Sequence, residues 1–324
     1  MIKSLTIGAL ALRNNLILAP MAGITNLPLR LLARKNGAAL CFTEMVSAHG
    51  LIRNGRKTFD LLRSVPQDRP LGIQLFGDDP NLIAEGIGVI EEYGDLIDIN
   101  MGCPVRKVVN SGAGSALLRE PEKVRAIVRA ARRATRLPLT IKIRTGWSAH
   151  EPTFLEIARI AEGEGCDAIT LHPRNRAEMF NNRADWSRIA ELKNCTGLPT
   201  IGSGDLFSPR DIMAMLELTG CDGVMVARGV LGNPWIFSEA LALGEGREAH
   251  PPSPSERLAT AVWHMDMLTS LIGEKAALRE LRKHLSWYTR GLPGAAQARD
   301  AINRTENRED MTTILETFFN LGLP

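Results

Sequence analysis

Long apolar runs are missing from this 324-residue sequence. No segment approaches the roughly 20 consecutive apolar residues that a membrane-spanning helix needs. The first residues also lack the charged region, apolar core and cleavage site of a secretory signal. We therefore expect a cytoplasmic protein with no membrane association.

Cysteine pairs and a strong net charge are also missing. The five cysteines are scattered and form no C-x-x-C pair, which argues against a disulfide framework and against a bound metal such as zinc. The formal net charge of +3 is too weak to indicate nucleic-acid binding by itself. No separate dinucleotide fingerprint is present, so the sequence does not select between NADPH and NADH.

Short apolar segments recur along the chain and alternate with helical patterns. The segments are residues 16–19, 40–43, 71–75, 96–100, 137–143, 168–171, 199–201 and 223–226. Such regular alternation favours an α/β fold, a (β/α)8 TIM barrel, over an open sheet. A proline- and glycine-rich segment then precedes a wholly helical tail. We predict a barrel domain at 1–243 and a small all-α helical bundle at 244–324.

The fourth apolar segment ends in a turn that carries a cysteine, Asn100–Pro104. Pro104 cannot donate a hydrogen bond to a neighbouring strand and favours an extended Cys103, so the thiol is expected just beyond the strand. Ligands of parallel α/β proteins bind at that edge. An inert, packed cysteine is the alternative, but the flanking Asn100 and Gly102 favour a reactive thiol.

Polar side chains follow the other predicted strands at the same end. They are Met21, Glu44, Gln74, Lys142, His172, Ser203 and Arg228. Each of them alone could cap a loop or face solvent. Because the carboxyl ends of barrel strands share one mouth, the whole set indicates a common binding site.

The helical tail contains one basic face. Arg279, Arg282 and Lys283 are spaced at i, i+3 and i+4 on a helix predicted from residue 275 to 288, and Trp287 follows one turn later. Such a face can bind RNA phosphates and stack on bases. A solvated face over an apolar core explains it equally well. We predict that Ser255 caps the preceding helix.

Four motifs together resemble the tRNA-dihydrouridine synthase family, and its bacterial B-type subgroup in particular. The motifs are Ala19–Thr25, Asn100–Pro104, Lys142–Trp147 and Arg282–Tyr288. The similarity extends over nearly the whole chain, including the helical tail. Several ordered motifs at compatible spacing are far more specific than a single Gly-Cys-Pro.

The resemblance implies an FMN-dependent enzyme that uses NADPH, or NADH, to reduce uridines in the tRNA D-loop to 5,6-dihydrouridine, and that acts on tRNA as a monomer. Cys103 would donate a proton to C5 after hydride reaches C6 from reduced FMN. The implied cofactor contacts are Pro20, Met21, Ala22, Gln74, Lys142, His172, Ser203, Gly204, Asp205, Ala227 and Arg228. The implied substrate contacts are Asn100, Arg279, Arg282 and Lys283.

Three motifs depart from the family pattern. Ser203–Asp205 replaces Asn-Gly-Asp, Ala227–Gly229 replaces Gly-Arg-Gly, and His172–Asn175 replaces His-Gly-Arg-Thr. Two other functions stay open. One is a flavin-dependent reductase or dehydrogenase of a free pyrimidine, which has no need of the helical tail. The other is a tRNA-binding protein with decayed flavin chemistry, against which the retained Cys103 and Lys142 argue.

Overall fold

An antiparallel hairpin, β1 (Leu5–Ile7) paired with β2 (Leu10–Leu12), opens the chain in this computed structural model, which describes residues 1–320. Its side chains Leu5 and Ile7 pack against Leu96 and Ala168, the first residues of two barrel strands. The hairpin therefore covers the amino-terminal end of the barrel. A ligand has to approach the barrel from the carboxyl end.

Parallel strands close into the predicted (β/α)8 barrel. In chain order the strands, with the short β5 at the mouth, are β3 (Leu16–Leu18), β4 (Leu40–Phe42), β5 (Val46–Ser47), β6 (Leu71–Phe76), β7 (Leu96–Met101), β8 (Leu139–Arg144), β9 (Ala168–His172), β10 (Thr200–Ser203) and β11 (Gly223–Val226). Pairing runs β3–β4–β6–β7–β8–β9–β10–β11, and β11 returns to β3. The sequence did not predict the hairpin or β5.

Helices cover the outside of the barrel, which is why the strands between them are apolar on both faces. They are α1 (Leu27–Lys35), α2 (Ala48–Ile52), α3 (Arg56–Asp60), α4 (Pro80–Ile90), α5 (Arg106–Val109), α6 (Pro121–Ala134), α7 (Phe154–Gly163), α8 (Ser187–Cys195), α9 (Pro209–Thr219) and α10 (Ile236–Gly244). The short α5 is an exception and lies at the mouth, where Val108 packs in one cluster with Cys103. Short 3-10 turns lie at Pro66–Asp68, Glu91–Tyr93, Gly114–Arg119 and Arg228–Val230. Within residues 1–320, no helix has both the length and the apolarity to cross a lipid bilayer.

The tail is helical, as expected. It contains α11 (Pro254–Ile272), α12 (Glu274–Tyr288), α13 (Ala295–Arg304) and α14 (Arg308–Asn320), whose apolar side chains form a cluster of their own. The predicted division after residue 243 falls in the last turn of α10. The Ser255 cap is wrong, because the Ser253 hydroxyl accepts the Glu256 N–H and the Glu256 carboxylate accepts the Ser253 N–H. Pro254 then takes the first helical position, which suits its fixed φ.

The tail packs on one side of the barrel mouth. Lys283 of α12 donates a hydrogen bond to the Gly23 carbonyl after β3. Arg63, in the segment after β4, donates to the Leu271 carbonyl of α11 at 2.7 Å. After β11, a Cβ on Gly232 would lie 2.1 Å from the Trp287 carbonyl oxygen, so this close approach requires glycine. The tail therefore lies beside β11, β3 and β4.

Candidate active site

A cavity of about 450 Å³ opens at the carboxyl ends of the barrel strands. Each of the eight barrel strands contributes lining residues, either from its carboxyl-terminal half or from the loop after it, so the cavity occupies the centre of the mouth. It brings together every residue predicted to contact the cofactor, together with Asn100 and Cys103. Those residues are Pro20, Met21, Ala22, Gln74, Asn100, Cys103, Lys142, His172, Ser203, Gly204, Asp205, Ala227 and Arg228.

A chain of hydrogen bonds with one fixed direction forms part of the pocket floor. Asn100 Oδ1 accepts the N–H groups of Gly102 at 3.1 Å and Cys103 at 2.9 Å. Its amide must therefore point the other way, and it donates to Gln74 Oε1 at 2.8 Å. Gln74 Nε2 donates in turn to Asp98 at 2.6 Å. Because backbone N–H groups fix one end, the buried Asp98 must be the final acceptor.

The Cys103 thiol lies just beyond β7, where the sequence analysis expected it. Its residue is 8% exposed, and its backbone carbonyl accepts the Ser115 N–H at 3.0 Å. Burial raises the pKa of Cys103, while the Val105 N–H and the cations Arg144 and Lys142 lower it by less. The thiol is therefore protonated at neutral pH, as a proton donor must be.

The half-buried Lys142 and the fully buried Asp98 also have shifted pKa values. Burial is the largest cause that lowers the pKa of Lys142 to about 8, and Arg144 lowers it further, while Asp98 and Cys103 raise it. Burial also raises the pKa of Asp98 to about 6, against hydrogen bonds from Gln74 and Thr140 that lower it. Lys142 thus retains a proton that it releases more readily than an exposed lysine.

Arg144 is a site residue that the sequence analysis did not select. It is 2% exposed, its Nε donates to the Gly102 carbonyl at 3.0 Å, and its Nη1 donates to the Asn175 carbonyl at 2.9 Å. It thereby joins the Cys103 turn to the loop after β9. Burial, and then Arg174, lower its pKa to about 10. The sequence did indicate Arg144, because residues 142 and 144 of one strand point to the same face and Lys142 was already a candidate site residue.

Asp205, which follows β10, binds one cation from the loop after β9 and one from the loop after β11. It accepts from Arg174 at 2.7 Å and from Arg228 at 3.2 Å. The Arg228 guanidinium also lies 5.1 Å from each of the exposed rings of Phe180 and Phe207, which the sequence analysis did not select. Arg228 therefore stands at the rim of the pocket between two aromatic rings and a carboxylate.

One motif departure, Ser203, has a visible consequence, and two unaltered residues nearby, Gly204 and His172, are tightly confined. The Ser203 hydroxyl donates to the Met225 carbonyl at 3.0 Å, so it turns to the backbone rather than into the pocket. Gly204 has φ +111°, and a Cβ there would lie 3.1 Å from both Ala184 and His172. Burial, together with the surrounding cations, holds the pKa of His172 well below its usual value, so the imidazole is neutral.

The three cations of the basic face predicted on α12 lie in different surroundings, and none of them lines the pocket. Arg282 donates to the Thr305 carbonyl at 3.1 Å within the tail. Lys283 donates to the Gly23 carbonyl in the loop that lines the pocket, and the Gly23 N–H donates to Glu44. Arg279 is exposed. Contact of this face with RNA stays a prediction.

The fold is a closed (β/α)8 barrel, and the pocket at its mouth places the Cys103 thiol beside the cations Lys142, Arg144 and Arg228. The sequence profile of the family described as Dihydrouridine synthase (Dus) matches residues 17–321. The chain belongs to this family and is an oxidoreductase. Membership implies a flavin cofactor.

Individual relatives agree with this assignment. The chain is 37% identical to tRNA-dihydrouridine synthase B of Pseudomonas syringae pv. tomato, over 99% of this chain and 96% of that protein. It is 38% identical to the enzyme of the same name from Pseudomonas aeruginosa, over 97% of this chain and 95% of that protein.

Solved structures of more distant proteins share the fold. Histamine dehydrogenase from Rhizobium sp. 4-9 superposes with a TM-score of 0.56 at 16% identity, over 82% of this chain and 50% of that one. 2-Naphthoyl-CoA reductase gives 0.59 at 12% identity, over 76% of this chain and 52% of that one.

Proposed function

We propose that this protein holds FMN in the mouth of its barrel and uses NADPH, or NADH, to reduce D-loop uridines of tRNA to 5,6-dihydrouridine. It acts in the cytosol as a monomer. The relatives named tRNA-dihydrouridine synthase B cover nearly the whole chain. The observation that carries the proposal is the position of the Cys103 thiol in the same cavity as Lys142 and Arg228. Burial raises the pKa of this thiol, which favours its protonated form.

The charges of the pocket suit a phosphorylated flavin. Lys142, Arg144, Arg174 and Arg228 lie in or beside the cavity, and mutual repulsion lowers the pKa values of Lys142 and Arg144 beyond the effect of burial. Asp205 offsets only part of this positive charge. A phosphate near Arg228 and negative charge on a ring near Lys142 would relieve the repulsion. Loops after the last two strands are a common phosphate site in such barrels.

Uracil reduction needs one hydride at C6 and one proton at C5. When bound in its reduced form, the flavin supplies the hydride. Cys103 holds the proton and transfers it from Sγ to C5. The resulting thiolate lies near Arg144 and Lys142, both of which favour the charged form, and solvent then returns a proton to it.

Asn100 can contact the uracil edge without breaking the floor of the pocket. One amide hydrogen points to Gln74 Oε1, and the nearest acceptor for the other is the Met45 thioether at 3.1 Å. A thioether is a weak acceptor. A uracil carbonyl can therefore take its place while Asn100 Oδ1 continues to hold Cys103.

The test is the dihydrouridine content of D-loop-unmodified tRNA after incubation with the protein, FMN and NADPH. Wild type should form product, and Cys103→Ala should form it about 10²- to 10⁴-fold more slowly. Cys195→Ala is the matched control, because that thiol lies at the end of α8 and outside the cavity. Reduction of free uracil but not of tRNA would indicate a free-pyrimidine reductase. Binding of tRNA without flavin would indicate decayed chemistry.

A further inference from the structure

The loops after β7 and β9 carry positive charge that no ion pair within residues 1–320 neutralises. Their unpaired cations are Arg106, Lys107, Arg119, Arg176 and Arg183. None of these side chains forms an ion pair with any other residue in the range 1–320. By contrast, the α12 cations Arg282 and Lys283 already donate to backbone carbonyls.

Trp147 gathers two of these charges at one place. The Arg119 guanidinium carbon lies 5.0 Å from the Trp147 ring centroid, and the Arg176 carbon lies 4.7 Å from it. The three residues come from the loops after β7, β8 and β9, so one ring orients cations from separate loops. Arg176 Nε is buried and has no acceptor within residues 1–320. Like charges held this closely, without a carboxylate, favour an anionic partner.

We call Arg106, Lys107, Arg119 and Arg176 the arc, and its position follows from the order of the strands. In the ring of barrel strands, β8 lies opposite β3. The helical tail packs over the loops beside β3, so the arc borders the other side of the pocket. Arg106 and Lys107 follow Cys103 within four residues. Val105, which is 49% exposed, precedes Arg106 and lines the pocket. A polyanion that lies across the pocket would meet the tail on one side and the arc on the other.

We propose that the arc formed by Arg106, Lys107, Arg119 and Arg176 binds the tRNA phosphates that hold the D-loop over the pocket. This inference rests on the proposed function and assigns the main electrostatic contact to the barrel rather than to α12. An extended basic surface of this kind sets affinity and register, while the pocket reads the base.

The test compares two variants with the same loss of charge. The arc variant combines Arg106→Gln, Lys107→Gln and Arg119→Gln. The control combines Arg13→Gln, Arg133→Gln and Arg136→Gln, which are exposed and lie towards the amino-terminal end of the barrel. Binding of unmodified tRNA is measured across a range of KCl concentrations, with flavin content checked in both proteins.

The arc variant should bind tRNA on the order of tenfold more weakly at 0.1 M salt, and its slope of log affinity against log salt should be shallower by about 2 to 3. The control should match wild type. Equal affinities and slopes for both variants would overturn the arc while leaving uridine reduction by the wild type intact. Failure of the wild type to bind tRNA would overturn the proposed function and the arc together.

Discussion

Asp98→Asn should stabilise the protein at neutral pH, although it changes a fully buried hydrogen-bonded residue. Gln74 donates to one oxygen of Asp98, and Thr140 Oγ1 donates to the other at 2.6 Å. An asparagine can accept from Gln74 with its oxygen and donate its amide to the Thr140 hydroxyl, which can also accept. The substitution thus retains both hydrogen bonds and removes a buried charge.

The magnitude follows from the pKa. Folding raises the pKa of Asp98 from 3.8 to about 6, mainly through burial. The native state therefore binds the proton more tightly than the unfolded state, so the free energy of unfolding falls as pH rises between these two values. Above pH 6 the full loss is about 3 kcal/mol. Asparagine is neutral at every pH in this range, so the variant does not lose this stability as the pH rises.

Urea unfolding of wild type and Asp98→Asn between pH 4 and pH 7 tests this reasoning. The difference in unfolding free energy between the two proteins should grow in favour of the variant by up to about 3 kcal/mol, because titrating groups that do not interact with Asp98 cancel. Asp60→Asn is the control, because it removes the same charge from a half-exposed side chain. A difference that does not change with pH, or a variant less stable than wild type at pH 7, would refute the argument.

Three further substitutions test other contacts. Lys283→Met removes the donor to the Gly23 carbonyl beside the pocket. The flavin dissociation constant, measured by fluorescence titration, should rise about fivefold. The control Lys275→Met, at an exposed lysine, should leave it unchanged. Burial lowers the pKa of His264 to about 3. Below about pH 6.5 the unfolded state therefore binds a proton on this imidazole that the folded state does not, and the free energy of unfolding falls as the pH falls. His264→Gln removes this effect and should move acid unfolding, followed by tryptophan fluorescence, to lower pH. Gly204→Ala should abolish flavin retention. The control Gly246→Ala, at a glycine that also has a positive φ (+74°) but open surroundings, should leave flavin content unchanged.

The barrel was predictable because buried parallel strands are continuous apolar runs, and turn residues separate them from helices. The hairpin and β5 were missed, because strands of two or three residues carry too little periodicity. The pocket residues were predictable from their positions at the ends of predicted strands, because the carboxyl ends of all barrel strands meet at one mouth. That rule needs only the order of elements and no side-chain contacts.

Residues that act through partners were not predictable in this way. The acceptors of Arg144 and the hydrogen-bond chain to Asp98 depend on the register between β6, β7 and β8. The hydrogen bond from Lys283 to the Gly23 carbonyl joins residues 260 positions apart in the sequence, so it depends on how the tail packs on the barrel. Helix spacing placed Arg279, Arg282 and Lys283 on one face, but it could not show which of them already had acceptors.

The most direct test of the central claim is a single turnover with tRNA in D2O. Wild type carrying reduced flavin should place one solvent deuterium at C5 of the product uracil. With Cys103→Ala the same step should slow by about 10²- to 10⁴-fold, with flavin content unchanged and with Cys195→Ala at the wild-type rate. A Cys103→Ala protein that forms dihydrouridine within twofold of the wild-type rate would contradict the assignment of Cys103 as the proton donor.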